Sequence, residues 1–313
     1  MTLQQLAYFV ALVEVGSFTG AADSLRVAQP TLSRQIRALE DELGAPLVQR
    51  TRHALTLTPA GDAVLPLARR MLADMESART AVAELVGLRT GRVRVGATPS
   101  LCTGVIAEVL RTFHGQYPAI RLELSESGSQ LLVSSLLRNE IDIALVVVPP
   151  DGLDPDLELA PVMRERLSVA SPAAERPPAA RGSMTVRELA RRSLVVPRRG
   201  YDLREVTLAA CAEAGVEPRF AVEGGEMDAI LRLVEAGTGV AVVPDIVFAG
   251  RPGLRRTALT PALYRTVALA RRADLVPSQA VQAFRETLLR RLGELSAEGG
   301  FVGDVQVLGQ AAG

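Results

Sequence analysis

Apolar residues in the first 58 positions recur at helical rather than strand spacing. Leu3, Leu6, Val10 and Val13 form one stripe. The segment "VGSF" interrupts it, and Ser17 is placed to cap a second helix that buries Phe18, Ala21, Ala22 and Leu25. After a short turn, "VAQPTLSRQIRALEDELG" predicts a third helix, with Leu32, Ile36, Leu39 and Leu43 on one face and Gly44 as its stop. "LVQRTRHALTLT" then reads as two short strands around a tight turn.

From Thr58 the pattern becomes one long helix, with Thr58 as its cap and Pro59 in its first position. Val64, Ala68, Met71, Met75, Ala78, Val82 and Leu85 follow at alternating steps of four and three, the seam of a two-stranded coiled coil. Pro66 removes one helical hydrogen bond and is expected to bend it. Gly87 and Gly91 provide a stop and a hinge.

Beyond residue 91, strands and helices alternate. "RVRVGATPS", "IRLELSE" and "IDIALVVVPP" are strands separated by helices, which implies parallel pairing with right-handed crossovers. A second set starts near "ERLSVASP" and runs through "SLVVPR", "RFAVEG" and "GVAVVP"; "LRRTALT", "YRTVALARR" and a terminal helix follow. Two such sets predict two lobes with a cleft between them. The expected organisation is a winged helix-turn-helix over 1–58, a linker and dimerisation helix with hinge over 59–90, and an α/β module over 91–296. Within that module, lobe one takes about 91–162 plus 268–296 and lobe two about 163–267. The glycine-rich segment 297–313 is expected to be a frayed or disordered tail.

Composition sharpens this only in places. The 35 basic residues, all arginine, balance 35 acidic ones, so net charge does not identify a partner. Two cysteines and two histidines, far apart, give neither a disulfide framework nor a metal spacing. No apolar run is long enough to span a bilayer and no leader precedes the first helix, so a cytoplasmic, membrane-free protein is expected.

The distribution of charge within the third helix says more. Its first half carries Gln29, Pro30, Thr31, Ser33, Arg34 and Arg37, and its second half Glu40, Asp41 and Glu42. Arginine and glutamine pair with guanine and adenine edges, and a helix-turn-helix presents the start of its second helix to the bases. Taken alone, the helix fits a solvated surface face equally well. The hairpin behind it favours DNA, because Arg50, Arg52 and His53 near its tip suit backbone or minor-groove contact. With five arginines against five acids over 1–58, one copy should bind weakly, so an oligomer on DNA is expected.

In the α/β module, three polar loops follow strands. They are "ATPSLCTG" with Thr98, Ser100 and Thr103, "SESGSQ", and "PRRGYDLRE" with Arg198, Tyr201 and Arg204. Each alone fits ordinary helix capping; together they suggest a carboxylate-type ligand at strand ends. No nucleophile set, phosphate loop or metal cluster supports an enzyme, and no cofactor is expected. A DNA-binding enzyme, or a binding protein whose N-terminal helices only mediate assembly, are the competing readings.

The stretches "LAYFVALVEVGSFTGAADSLRVAQPTLSRQIRALEDELGAPLVQR" and "LTLTPAG" strongly resemble the LysR-type transcriptional regulators, closely over residues 6–61 and in layout thereafter. The resemblance implies a winged helix-turn-helix joined to an effector domain like the periplasmic binding proteins. It also implies homotetramers built as dimers of dimers, with DNA bending that answers to a small inducer. It places DNA contacts on Gln29, Pro30, Thr31, Ser33, Arg34, Arg50 and Arg52. It places inducer contacts on Thr98, Ser100, Cys102 and Thr103, on Ser127, Gly128, Ser129 and Gln130, and on Pro197 to Tyr201. The expected partners are double-stranded DNA, a small anionic effector, further copies of the chain and RNA polymerase. Val48 stands where the family favours phenylalanine, and Cys211 is alone in lobe two, unlike the cysteine pairs of peroxide sensors.

Overall fold

The computed structural model describes residues 1–50, 55–85, 91–178 and 182–308. It divides into an N-terminal unit that includes the long helix and a C-terminal unit that includes all the later strands. Among the described residues, no helix is long and apolar enough to cross a membrane.

Three helices build the head: α1 (Leu3–Val15), α2 (Phe18–Leu25) and α3 (Gln29–Leu43). Ser17 caps α2 as expected, its Oγ accepting the Gly20 N–H at 3.1 Å. The core is Leu6, Phe9, Leu12, Ala21, Ala22, Leu32, Ile36, Leu39 and Leu47. The buried face of α1 is rotated from the expected stripe: Leu3 is exposed, while Phe9 and Leu12 are fully buried. An aromatic ring removes more apolar area from water than Leu3 could, so Phe9 sets the face. Leu43, counted in the α3 stripe, is also exposed.

The hairpin is present as antiparallel β1 (Val48–Arg50) and β2 (Leu55–Leu57). The Glu40 carboxylate accepts the N–H groups of Leu47 (2.8 Å) and Val48 (3.2 Å), tying the end of α3 to the start of β1. α4 (Pro59–Leu85) runs through Pro66. Thr58 Oγ1 accepts the Gly61 N–H at 3.1 Å and donates to the Pro46 carbonyl at 2.6 Å. A Cβ on Gly61 would lie 2.1 Å from the Leu47 carbonyl oxygen, so only glycine lets α4 start this close to the wing. Ala68 is buried in the head's core and Val64 packs on it. The first two seam positions therefore serve the head itself; Leu67 and Met71 are exposed beside them. The Val82 and Leu85 side chains lie outside the described residues.

The C-terminal unit opens with β3 (Gly91–Ala97) and α5 (Pro99–Leu101), which continues through a π-helical segment (Cys102–Ile106) into α6 (Ala107–Gln116). Next come β4 (Ile120–Glu126), α7 (Ser129–Leu137), β5 (Ile143–Val148) and β6 (Leu157–Pro172). β7 (Ser183–Thr185), α8 (Val186–Leu189), β8 (Ser193–Val196), α9 (Asp202–Glu213), β9 (Arg219–Glu223), α10 (Met227–Glu235) and β10 (Ala241–Pro244) follow. β11 (Leu254–Arg272), α11 (Gln279–Ala297) and β12 (Val305–Val307) complete it. β3 pairs in parallel with β4 and β5, as the alternating pattern predicts. β8 and β9 are likewise parallel.

The long strands β6 and β11 pair antiparallel along nearly their whole length and are shared by both lobes. "LRRTALT" and "YRTVALARR" are thus one strand, irregular between Ala258 and Leu263, and β6 starts well before "ERLSVASP". The tail as far as Leu308 also departs from expectation, and 309–313 lie outside the described residues. β12 adds to β6 at Met163–Glu165, and Phe301, Val305 and Val307 pack on the main core. The Asp304 N–H donates to Asp245 Oδ2 at 2.9 Å, and the Tyr264 hydroxyl donates to Asp304 Oδ2 at 2.8 Å. Alternating apolar residues and these polar anchors outweigh the entropic cost of the surrounding glycines.

Candidate functional site

Two surfaces answer to the predicted chemistry. The first is the start of α3. Ala28 stands at its N-cap position without a side-chain cap, Pro30 lies in the first turn and has no N–H, and the Thr31 N–H donates to the Ala28 carbonyl at 2.9 Å. Pro30, Arg34 and Arg37 are exposed, and Gln29, Thr31 and Ser33 half-exposed, while Leu32 and Ile36 anchor the opposite side in the core. Neither Arg34 nor Arg37 has an ion-pair partner among the described residues. A row of such donors, held by a buried stripe, is what a base-reading helix presents. The wing that carries Arg50 is in place; the Arg50 side chain and Arg52 lie outside the described residues.

The second surface is a crevice where the lobes meet. Thr98, Ser100, Pro197 and Tyr201 line it, together with Asp202, Leu203, Met227, Ile230 and Arg265. Its cavity volume is about 10 Å³, about the space one water needs, so a larger guest has to part the lobes. Two glycine-bearing loops close it. A Cβ on Gly128 would lie 2.6 Å from the Gly200 carbonyl oxygen. Beside them Ser129 Oγ donates to Asp202 Oδ2 at 2.7 Å and accepts the Val147 N–H at 3.0 Å. Ser129 is thereby the hydrogen-bonded link between lobe one and the start of α9.

The arginine in this crevice is already committed. Arg265 on β11 lies opposite Glu165 on β6, and both are buried. Its Nε and Nη2 donate to Glu165 Oε1 at 2.9 and 2.6 Å, and Nη2 also donates to Ser100 Oγ at 2.8 Å. Neither Arg265 nor Glu165 stood out in the sequence. Glu165 stands between Arg164 and Arg166 on β6, and Arg265 is one of five arginines on β11, so only strand register shows that the two face one another.

The two predicted arginines are also occupied. Arg204 is buried, pairs with Glu223 at 2.6 Å and donates to the Pro197 carbonyl at 3.1 Å, so it braces the loop. Arg198 pairs with Glu226 at 3.2 Å and donates to the Tyr201 hydroxyl at 2.9 Å. That hydroxyl in turn donates to Glu226. Burial first, and then this bond to Glu226, push the Tyr201 phenol up to about 12. The anionic effector expected from these loops therefore meets no uncommitted cation among the residues lining the crevice.

The remaining candidates lie around the rim. Thr103 Oγ1 donates within its own turn to the Pro99 carbonyl at 3.0 Å. Ser127 N–H donates to the Ala97 carbonyl at 3.2 Å, and Gln130 is exposed. Cys102 is half-buried; burial, reinforced by Glu126, pushes its thiol up to about 12. Such a thiol is almost wholly protonated at neutral pH and a poor nucleophile.

Residues 3–62 match the model of the bacterial regulatory helix-turn-helix proteins of the lysR family, and residues 87–293 match the LysR substrate binding domain. A transcriptional regulator from Agrobacterium vitis, TtuA, is 33% identical over 253 residues, 78% of this chain and 80% of that protein. A full-length OxyR variant from Pseudomonas aeruginosa superposes with a TM-score of 0.71 at 27% identity, covering 92% of this chain and 98% of the other. Full-length CbnR in complex with its target DNA gives 0.68 at 27% identity, covering 93% and 100%. With a helix-turn-helix head, a long helix and a two-lobed α/β domain in one chain, the protein belongs to the LysR-type family of transcriptional regulators.

Proposed function

We propose that this chain reads double-stranded DNA with the first turns of α3 and with the wing, and that a small effector entering the crevice between the lobes controls that reading. The observation that carries this is the exposed, uncommitted polar row of α3 in the same chain as a two-lobed unit closed over buried polar groups. Gln29, Pro30, Thr31, Ser33, Arg34 and Arg37 supply the contacts on α3, and Arg50 and Arg52 those on the wing. The relative CbnR is crystallised on its target DNA, which supports the same use of this head.

A single head carries little net charge, so tight binding requires several heads. Leu67 and Met71, exposed on α4, begin the apolar edge that a second copy would cover, and a dimer of dimers follows as the assembly that engages two half-sites. The protein would act in the cytoplasm at chromosomal DNA, with RNA polymerase as a further partner. Thr98, Ser100, Ser129 and Tyr201 form the effector site. Operator DNA selected from genomic fragments tests the reading. The full-length protein should retain specific fragments, Arg34→Ala should lose that selectivity with oligomeric state intact, and equal retention of all fragments by both proteins would overturn it.

A further inference from the structure

The charges of the crevice reveal more than its location. Arg265 is neutralised by Glu165, and Arg204 and Arg198 by Glu223 and Glu226. Arg199 is exposed and does not line the crevice. Asp202, which lines the cavity, is a carboxylate without a cationic partner among the described residues. The Ser129 hydroxyl holds Asp202 by Oδ2, and the start of α9 favours a negative charge there. Thr98 Oγ1, buried in the same wall, has no hydrogen-bond partner. A buried hydroxyl without a partner costs stability unless something else fills its valence. Leu203, Met227 and Ile230 supply apolar surface in the same wall.

Resting on the reading of this crevice as the effector site, we propose that the effector is a small organic amine. Its ammonium group docks on Asp202, its apolar body lies against Leu203, Met227 and Ile230, and a polar substituent satisfies Thr98. Entry has to part the Gly128 and Gly200 loops, so binding acts on the contact that joins the lobes. An anion in the same place would be repelled by Asp202 and would have to take Arg265 from Glu165. That exchange leaves a buried carboxylate unpaired, at a cost that a small ligand does not recover.

The test uses the full-length protein, thermal unfolding and titration calorimetry. The probes are butylamine, cyclohexylamine and benzylamine, set against butyrate, cyclohexanecarboxylate and benzoate. At least one amine should raise the melting temperature, with no response to its matching acid. Asp202→Asn should weaken that amine at least tenfold. Its amide oxygen can still accept the Ser129 hydroxyl, so the fold is retained, and the melting temperature without ligand checks this. Thr98→Val should weaken only amines that carry a second polar group, tested with ethanolamine against butylamine. A response to acids alone, abolished by Ser100→Ala, would overturn the amine while leaving the crevice as the effector site. A response to amines unchanged in Asp202→Asn would overturn the docking on Asp202. Silence to both classes would overturn the proposal, and the site itself then stands or falls on whether Met227→Trp, which fills the crevice, alters operator binding.

Discussion

On α3, Arg34 and Arg37 stand in solvent with no ion-pair partner among the described residues. In the α/β unit, Arg265, Arg204 and Arg94 are buried, each paired with the carboxylate of Glu165, Glu223 or Asp142. The same side chain thus does two jobs in one molecule. In the head its five donors remain available to an external partner, and there the fold supplies only a rigid helix beneath them. In Arg265, Arg204 and Arg94 the guanidinium is held by a carboxylate of the same chain and fixes loops and strands in place. A balanced total of 35 basic and 35 acidic residues hides this division completely.

The sharpest way to test the buried half of the comparison is to remove one partner. Glu165→Leu leaves Arg265 buried, with only Ser100 Oγ among the described residues to receive its donors. Breaking such a pair costs about 3–5 kcal/mol. The expected result is a large fall in the urea midpoint of the effector unit. The double change Glu165→Leu with Arg265→Met should recover most of that loss, because replacing both charges removes the desolvation penalty. A single variant as stable as the parent would mean that the pair is solvated and the comparison mistaken.

The exposed half predicts the opposite profile. Arg34→Ala should leave the melting temperature unchanged and cost about 1–3 kcal/mol of discrimination between operator and unrelated DNA, if it pairs with a guanine. Fluorescence anisotropy against both DNAs, at several salt concentrations, separates this from Arg37. If Arg37 contacts phosphate, its loss should weaken both DNAs alike and lower the salt slope by about one. A loss of stability in Arg34→Ala would place it among the structural arginines.

How far the sequence reached follows the same division. The head was legible because its information is local. Stripes of period 3.6, a serine cap and a polar helix start all lie within a few residues of one another. The α1 face was misplaced because simple spacing gives Leu3 and Phe9 equal weight, whereas packing favours the larger ring. In the effector unit the strand ends were found one loop at a time, and Thr98, Ser100 and Tyr201 do line the crevice. The charges that decide its chemistry were not found. Glu165 and Arg265 stand a hundred residues apart and meet only through the register of β6 and β11. Asp202 meets Ser129 across 73 residues. The tail was misjudged because its glycines outnumber the apolar positions of β12, although those few positions suffice once β6 offers a free edge.

A smaller effect probes the junction between α3 and the wing. Glu40 belongs to the acidic half of α3, yet it accepts the N–H groups of Leu47 and Val48. Glu40→Ala should destabilise the head by about 1.5 kcal/mol, the scale of hydrogen bonds to a charged acceptor. It should also loosen the wing, visible as faster amide exchange at Leu47 and Val48. Asp41→Ala, exposed and without such bonds among the described residues, should do neither.

The finest contrast lies between two serines of the same head. Ser17 accepts the Gly20 N–H and so satisfies one donor at the start of α2, whereas Ser33 has no hydrogen-bond partner among the described residues and lies half-exposed on α3. Ser17→Ala removes a cap and should cost about 1 kcal/mol of stability. Operator affinity measured well below the melting temperature should not change. Ser33→Ala should be neutral in stability, since alanine is at least as good a helix former, and its cost should fall on DNA binding alone. Chemical denaturation and operator titration of the two variants side by side decide the matter. If Ser33→Ala destabilises the head and spares binding, the polar row of α3 is structural, and the division between committed and available groups does not hold there.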